Sequence, residues 1–367
     1  MHRLILAASM VLAACGNPAA SPVIRTGVPN ATQDKPQSKL WFAQGSWWAW
    51  LPDPEGSAIW RRTPQGWERQ QPLDAALRGL PGQADVWADE GSVRAVLVDR
   101  NRLAVAGLRW TDGRYAPDGP AAEFNLDGGL ETATIARDPG GRWWIAYGRD
   151  RRMWVRAGDA DGWTEPVQIS EAPAAEDDIC AIVALPDRVA VLWSDQAADT
   201  VYFRRHSGGP DAGAWEPIEI ADAGGGTADD HINTALAPDG TLYVAMKNSV
   251  DRVGLPQLVL RQRYPDGRWV NRPYGLRTED GEPSRPIVLL GGGDLFLLHS
   301  FYGRERGWVE WQPGHEMAAQ PLIEAAQRVN NVTGSKANLP EGQPWIVLAS
   351  DREGDVYEAT LRPYGAR

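Results

Sequence analysis

The chain has 367 residues, 43% of them hydrophobic, which is enough for one large domain or two small ones. A formal net charge of −11 with no Lys/Arg-rich run argues against a nucleic-acid partner. Thirty-nine Gly, 28 Pro and 18 Trp describe a chain of many turns and many bulky aromatics, the composition of a β-rich protein built from repeated hairpins.

In chain order, the first element is "MHRLILAASMVLAAC": Arg3, an apolar run from Leu4 to Ala14, then Cys15. The run is too short to span a bilayer and reads as the core of a signal peptide over residues 1–14. Leu12-Ala13-Ala14-Cys15 resembles the lipobox of bacterial lipoproteins. That resemblance implies cleavage before Cys15, acylation of Cys15, and attachment to a membrane of the cell envelope by two or three acyl chains. Gly16 in place of an aspartate favours the outer membrane over the inner. Residues 15–38, rich in Pro, Ala, Ser and Asn, are expected to form a flexible tether. Cys180 is the one other cysteine and sits in an apolar run, so neither a disulfide nor a cysteine-rich metal site is available.

From residue 39 onward one phrase recurs. Its clearest line is a strand: "SWWAWL" from Ser46, "SVRAVLV" from Ser92, "RWWIAYG" from Arg142, "RVAVLWS" from Arg188, "TLYVAMK" from Thr241, "DLFLLHS" from Asp294 and "PWIVLAS" from Pro344. Starts separated by about fifty residues, with four short strands per unit, predict an all-β fold: a seven-bladed β-propeller of four-stranded blades over 39–367. Six blades is the alternative if the first two units are misread. The last unit supplies three strands, so a segment between Pro22 and Leu40 is expected to complete it and close the ring. A second repeat places a tight turn before Trp67, Trp163, Trp215 and Trp269. These turns resemble worn Asp-boxes of sialidase-like propellers, and the tryptophans are expected to pack between blades.

In a propeller the segments leading into the innermost strands share one mouth of the channel with the ends of the second strands. Polar groups crowd both places. "GGGTADDHINTAL" brings Asp229, Asp230 and His231 to the start of the fifth unit, with Lys247 at the end of its second strand; Asp178, Arg285 and Lys336 fall in corresponding stretches of other units. Close mixed charges in a concavity suit a polar ligand, and His231 with Asp230 is the candidate acid–base pair. Asp178 reads equally well as a cap of its own turn, and His299 as a core histidine.

The stretch from Asp229 to the C-terminus resembles secreted bacterial sialidase-like propeller proteins. The resemblance rests on Asp229-Asp230-His231, "VAMKNS", "PQLVLRQR", "SRPIVLL", "NNVTGSK" and "WIVLASDREGDVYEA". It implies the fold and an extracytoplasmic location, and no reaction. Asp230-His231-Ile232-Asn233 is also similar to a phrase in propeller polysaccharide lyases, where it implies His231 as base and Lys247 or Arg285 as the group that neutralises a uronate. Ser284-Arg285-Pro286-Ile287 has neither the order nor the position of the sialidase arginine motif. The expectation is a glycan-binding site, catalytic or not, with a non-catalytic protein-interaction scaffold as the competing class. No cofactor, metal or oligomeric state is legible.

Overall fold

The computed structural model describes residues 19–362 except 34, 127–128, 160–161 and 317. The signal-peptide reading and Cys15 lie outside the described residues. Among these, no helix is long and apolar enough to cross a membrane.

Seven separate antiparallel sheets follow one another along the chain, and the protein is a seven-bladed β-propeller. The innermost strands are Leu40–Ala43, Gln83–Ala88, Leu130–Arg137, Cys180–Ala184, Ile232–Leu236, Gly281–Gly291 and Asn330–Thr333. The second strands fall where the repeat puts them, from Ser46–Asp53 in blade 1 to Trp345–Ser350 in blade 7. Their alternate side chains face opposite sides of each sheet, so apolar residues from adjacent blades meet in layers between them. In blades 2 and 3 the outer edge is split into two short segments pairing with the same third strand.

Closure comes from the N-terminus. Ile24–Arg25 pairs antiparallel with Asp355–Leu361 and completes blade 7. The supposed tether is therefore part of the domain from Ala20 onward: Ala20 N–H donates to Glu324 O at 2.7 Å, and Gln37, Ser38 and Lys39 are buried in the channel. Polar composition misled here because this segment is held by backbone hydrogen bonds and channel contacts, not by an apolar face of its own.

The innermost strands are stitched by side chains. Asp85 accepts from Ser38 N–H and Ile135 N–H, both at 2.8 Å. Thr134 accepts from Ile182 N–H, Asn233 from Val288 N–H, and Thr333 from Lys39 N–H. Backbone donors at the strand edges are thus satisfied by the neighbouring blade.

The outer-strand tryptophans do bridge blades, though Trp67 alone is buried and Trp163, Trp215 and Trp269 are half-buried. Trp163 lies flat over Gly158, where a Cβ would come within 2.6 Å of the ring. Two tryptophans share a device. Trp67 Nε1 donates to Glu358 at 2.7 Å while Arg62 grips the same carboxylate with two bonds of 2.8 Å. Trp269 and Arg263 do the same to Glu219, at 2.5 and 3.0 Å. The first clamp joins blade 1 to blade 7, the second blade 5 to blade 4. Glu358→Ala and Glu219→Ala should each lower stability by about 2 kcal/mol in urea unfolding, the scale of a lost charged hydrogen-bond set. Midpoints unchanged in both variants would reduce the clamps to surface decoration.

Candidate functional site

The site begins with a loop. Residues 224–231 join the outer strand of blade 4 (Glu219–Ala223) to the innermost strand of blade 5. Gly224, Gly225 and Gly226 have φ of +79°, +74° and +77°, a left-handed run that side-chain-bearing residues resist. The run turns the backbone so that Gly226 N–H and Ala228 N–H both donate to Asp199, at 2.8 and 3.3 Å. From below, the wholly buried Arg261 binds Thr227 O at 3.0 Å and its Oγ1 at 2.7 Å, and pairs with Asp222. Ser249 Oγ holds Ala228 O at 2.7 Å. The next three residues, Asp229, Asp230 and His231, are therefore delivered on a fixed backbone.

Their side chains form one network. His231 Nδ1 lies 2.8 Å from Asp229 Oδ1 and 2.5 Å from Asp230 Oδ1. Lys247 Nζ sits on the other oxygen of Asp229 at 2.9 Å. Lys35 pairs with Asp230 and, at 2.8 Å, with Glu131 of blade 3. Burial would push the Asp230 carboxyl up, but the hydrogen bond and charge of His231 and the Lys35 ammonium outweigh it and hold it well below the usual carboxylate range. Burial likewise disfavours charge on Lys35, and Asp230 with Glu131 reverses that, raising it. With Nδ1 turned to two carboxylates, the ring proton is placed there.

The opposite ring nitrogen, Nε2, is buried and has no hydrogen-bond partner among the described residues. His231 lines a cavity of about 30 Å³ together with Lys35, Gln37, Asn233, Arg285 and Asn331. Two of these walls are backbone outliers. Arg285 (φ +52°) and Asn331 (φ +53°) sit at bulges where the innermost strands of blades 6 and 7 slip register. A residue before proline is normally extended, so the left-handed Arg285 is strained. The bulge puts Arg285 on the cavity wall. Its guanidinium meets Tyr302 OH and lies 5.1 Å from the Tyr302 ring centroid, and it has no carboxylate partner among the described residues. Tyr302 OH in turn donates to Asn330 Oδ1 at 2.5 Å.

Chemically, the arrangement is an imidazole fixed by carboxylates at one nitrogen and open at the other, sharing a cavity with a cation that has no counter-ion among the described residues. Such a ring can accept a hydrogen bond or a proton at Nε2 and return it, while Arg285 can receive a carboxylate. Asp229, Asp230 and His231 also offer three metal-ligand atoms within 4.8 Å of one another. Both carboxylates already carry an ammonium, so a divalent cation would have to displace two lysines.

Five of the residues singled out from sequence thus meet: Asp229, Asp230, His231, Lys247 and Arg285. Two do not. Asp178 is on the same face but serves its own turn, accepting from Ala175 N–H at 2.6 Å, Gln196 N–H at 3.0 Å and Ser194 Oγ at 3.0 Å. Lys336 is at the other end of the channel, bound to Asp85 at 2.5 Å and Ile135 O at 2.9 Å. It follows the innermost strand Asn330–Thr333 and lines a cavity with Ala88, Ala136 and Leu236, at the far ends of the other innermost strands. His299 is a core residue, 1% exposed and 3.0 Å from Glu310. Sequence reasoning missed Lys35, assigned to a tether, and Tyr302, which no motif marked. Glu131 stood at a strand start without being chosen.

The sequence matches no protein-family model and no curated protein. Among solved structures, the chain is similar to BBS1N, crystallised in complex with ARL6DN, at TM-score 0.56 and 10% identity over 95% of this chain and 98% of that one. It is similar to the polysaccharide lyase Uly1 at TM-score 0.50 and 9% identity, over 89% and 90%. A Trypanosoma rangeli sialidase in complex with sialic acid follows at TM-score 0.45 and 10% identity, over 80% and 58%, too distant to argue from. At these identities the likeness is one of fold alone.

Proposed function

We propose that this propeller binds an acidic carbohydrate at the channel mouth, with His231 and Arg285 reading a carboxylate-bearing sugar unit. The observation that carries the reading is a buried His231 Nε2 and an Arg285 on the wall of one cavity, the first with no hydrogen-bond partner and the second with no counter-ion among the described residues. If the protein is an enzyme, His231 acts as base or acid, Asp229 and Asp230 orient it, and Arg285 neutralises the sugar carboxylate, which is glycan-lyase or hydrolase chemistry. A glycan array probed with the purified protein tests the class; acidic glycans should dominate the hits.

A protein-interaction scaffold is the second reading, and one observation favours it. Val253, Leu255 and Leu276 are exposed large apolar residues close together at the edge of blade 5. Two further exposed ones, Val23 and Ile220, stand elsewhere, so the patch is small.

We also propose that Cys15 is acylated and holds the propeller to a membrane of the bacterial envelope, the outer one in preference. Only three residues lie between Cys15 and Ala19, so an anchored propeller would ride close to the lipid. Cys15→Ser should move the protein from the membrane to the soluble fraction. A variant that still needs detergent for release, with unchanged mobility, would end the lipoprotein assignment.

A further inference from the structure

We propose that Asn331 is a third ligand-reading residue of the His231 cavity, and that with Arg285 it selects a carboxylate over a sulfate or phosphate ester. This rests on the carbohydrate reading above and deepens it, from an acidic sugar to the kind of acid and the residue that chooses it. Arg285 and Asn331 come from adjacent blades and reach the cavity in the same way. In the innermost strand of blade 6 the pairing passes from Ser284 with Ser300 to Ile287 with Leu298, and in blade 7 from Asn330 with Ser350 to Thr333 with Leu348. Each slip sets two residues opposite one, a bulge that re-aims a side chain. The first bulge residue is Arg285 in one blade and Asn331 in the other, and both are left-handed. Blade 3 slips alike between Leu130 and Ala133, and its first bulge residue, Glu131, also reaches the mouth, where it holds Lys35.

The bulges of blades 6 and 7 are coupled. Arg285 meets Tyr302 OH, Tyr302 OH donates to Asn330 Oδ1 at 2.5 Å, and the same Oδ1 accepts from Asn331 N–H at 2.7 Å. One short chain of bonds therefore sets both residues. It satisfies the Asn331 backbone and leaves the side chain open. Asn331 is 7% exposed and lines the cavity, and its amide has no hydrogen-bond partner among the described residues. The other amides on that wall are occupied. Gln37 donates to Ala133 O and accepts from Lys39, and Asn233 donates to Pro36 O and accepts from Val288 N–H. Asparagine tolerates a left-handed backbone, which accounts for the residue type but not for an amide buried without a partner.

Size and shape give the acid. A water needs about 10–15 Å³ of such space. The cavity, at about 30 Å³, thus holds two atoms of oxygen size. A carboxylate brings two oxygens in one plane, and the Arg285 fork and the Asn331 NH₂ supply a donor for each. A sulfate or phosphate half-ester brings three oxygens around a tetrahedral centre, and the third has no room.

Calorimetric titration separates these acids. Galacturonate trisaccharide and the matching galactose trisaccharide 6-sulfate are titrated into the full chain and its Asn331→Gly and Asn331→Asp variants, with a melting curve for each. Both substitutions accept the left-handed backbone and keep the N–H bond to Asn330, so the bulge survives them. The full chain should bind the carboxylate probe about tenfold more tightly than the sulfate. Asn331→Gly should lose about tenfold in carboxylate affinity, the worth of one hydrogen bond to a charged group, and Asn331→Asp about 100-fold, because it sets an anion beside an anion. Unchanged affinity in both variants overturns the role of Asn331 and leaves the His231 and Arg285 reading intact. Binding lost together with the melting temperature in both makes Asn331 structural and overturns it equally. Sulfate bound as tightly as carboxylate overturns the selection. Neither probe bound by the full chain overturns the carbohydrate reading itself, and the role of Asn331 with it.

Discussion

Asp85→Ala is expected to cost about 3–5 kcal/mol of stability, the largest loss of any single substitution considered, because it breaks a buried ion pair by removing one partner. Asp85 is completely buried in the innermost strand of blade 2. One oxygen accepts from Ser38 N–H, at the point where the N-terminal segment enters the channel. The other accepts from Ile135 N–H of blade 3 and from Lys336 of blade 7. Alanine would leave two backbone donors without a partner and the Lys336 ammonium with only the Ile135 carbonyl, and each loss carries its own desolvation penalty. Urea unfolding measures the loss. Should the alanine variant fail to accumulate, Asp85→Asn answers the same question: it keeps the shape and one acceptor but not the charge, and should fall between the two. A midpoint shift in Asp85→Ala worth less than about 1 kcal/mol would mean that the channel is wetter and more tolerant than this packing implies. The residue at stake is not a catalyst. It joins three blades and the closing segment, which is why its effect should exceed that of either peripheral Glu clamp.

His231→Ala and Arg285→Ala should each weaken binding of an acidic oligosaccharide by about 100-fold, the worth of one charge-assisted contact in a desolvated site. Thermal stability should change little. Removing His231 leaves Asp229 on Lys247 and Asp230 on Lys35, so no carboxylate is stranded. Arg285→Ala keeps the left-handed backbone as it is and deletes a cation with no carboxylate partner among the described residues. Calorimetric titration against an acidic oligosaccharide, beside a melting curve for each variant, separates binding from folding. Full binding in both variants would return the Asp-Asp-His triplet to a polar lip on a hairpin. Loss of binding with a collapsed melting temperature would instead make the cluster a structural network. Loss in Arg285→Ala alone would make His231 a positioning group without contact to the ligand.

Much of this protein could be read from the chain. Seven apolar strands near a fifty-residue period can bury their faces only against copies of themselves, so the period dictates sheets stacked around an axis. The short last unit required a strand from the other terminus, and Ile24–Arg25 supplies it. The same geometry foretold that the approaches to the innermost strands share a mouth, which brought His231 and Arg285 to one cavity from units fifty residues apart. What sequence could not decide were contacts with no local signature. Lys35 looked like linker because its partners, Asp230 and Glu131, lie far along the chain and in different blades. Lys336 looked like a neighbour of Asn331, and only the direction of a short strand carries it to the far end of the channel. Asp178 and Asp230 are both aspartates before an inner strand. One spends its oxygens on its own turn and the other on a histidine and a lysine from across the mouth. Period and pattern are properties of neighbours in sequence, so the chain fixes them alone. Charge pairing across a ring depends on which blades face each other through the channel, and that is decided only once the ring has closed.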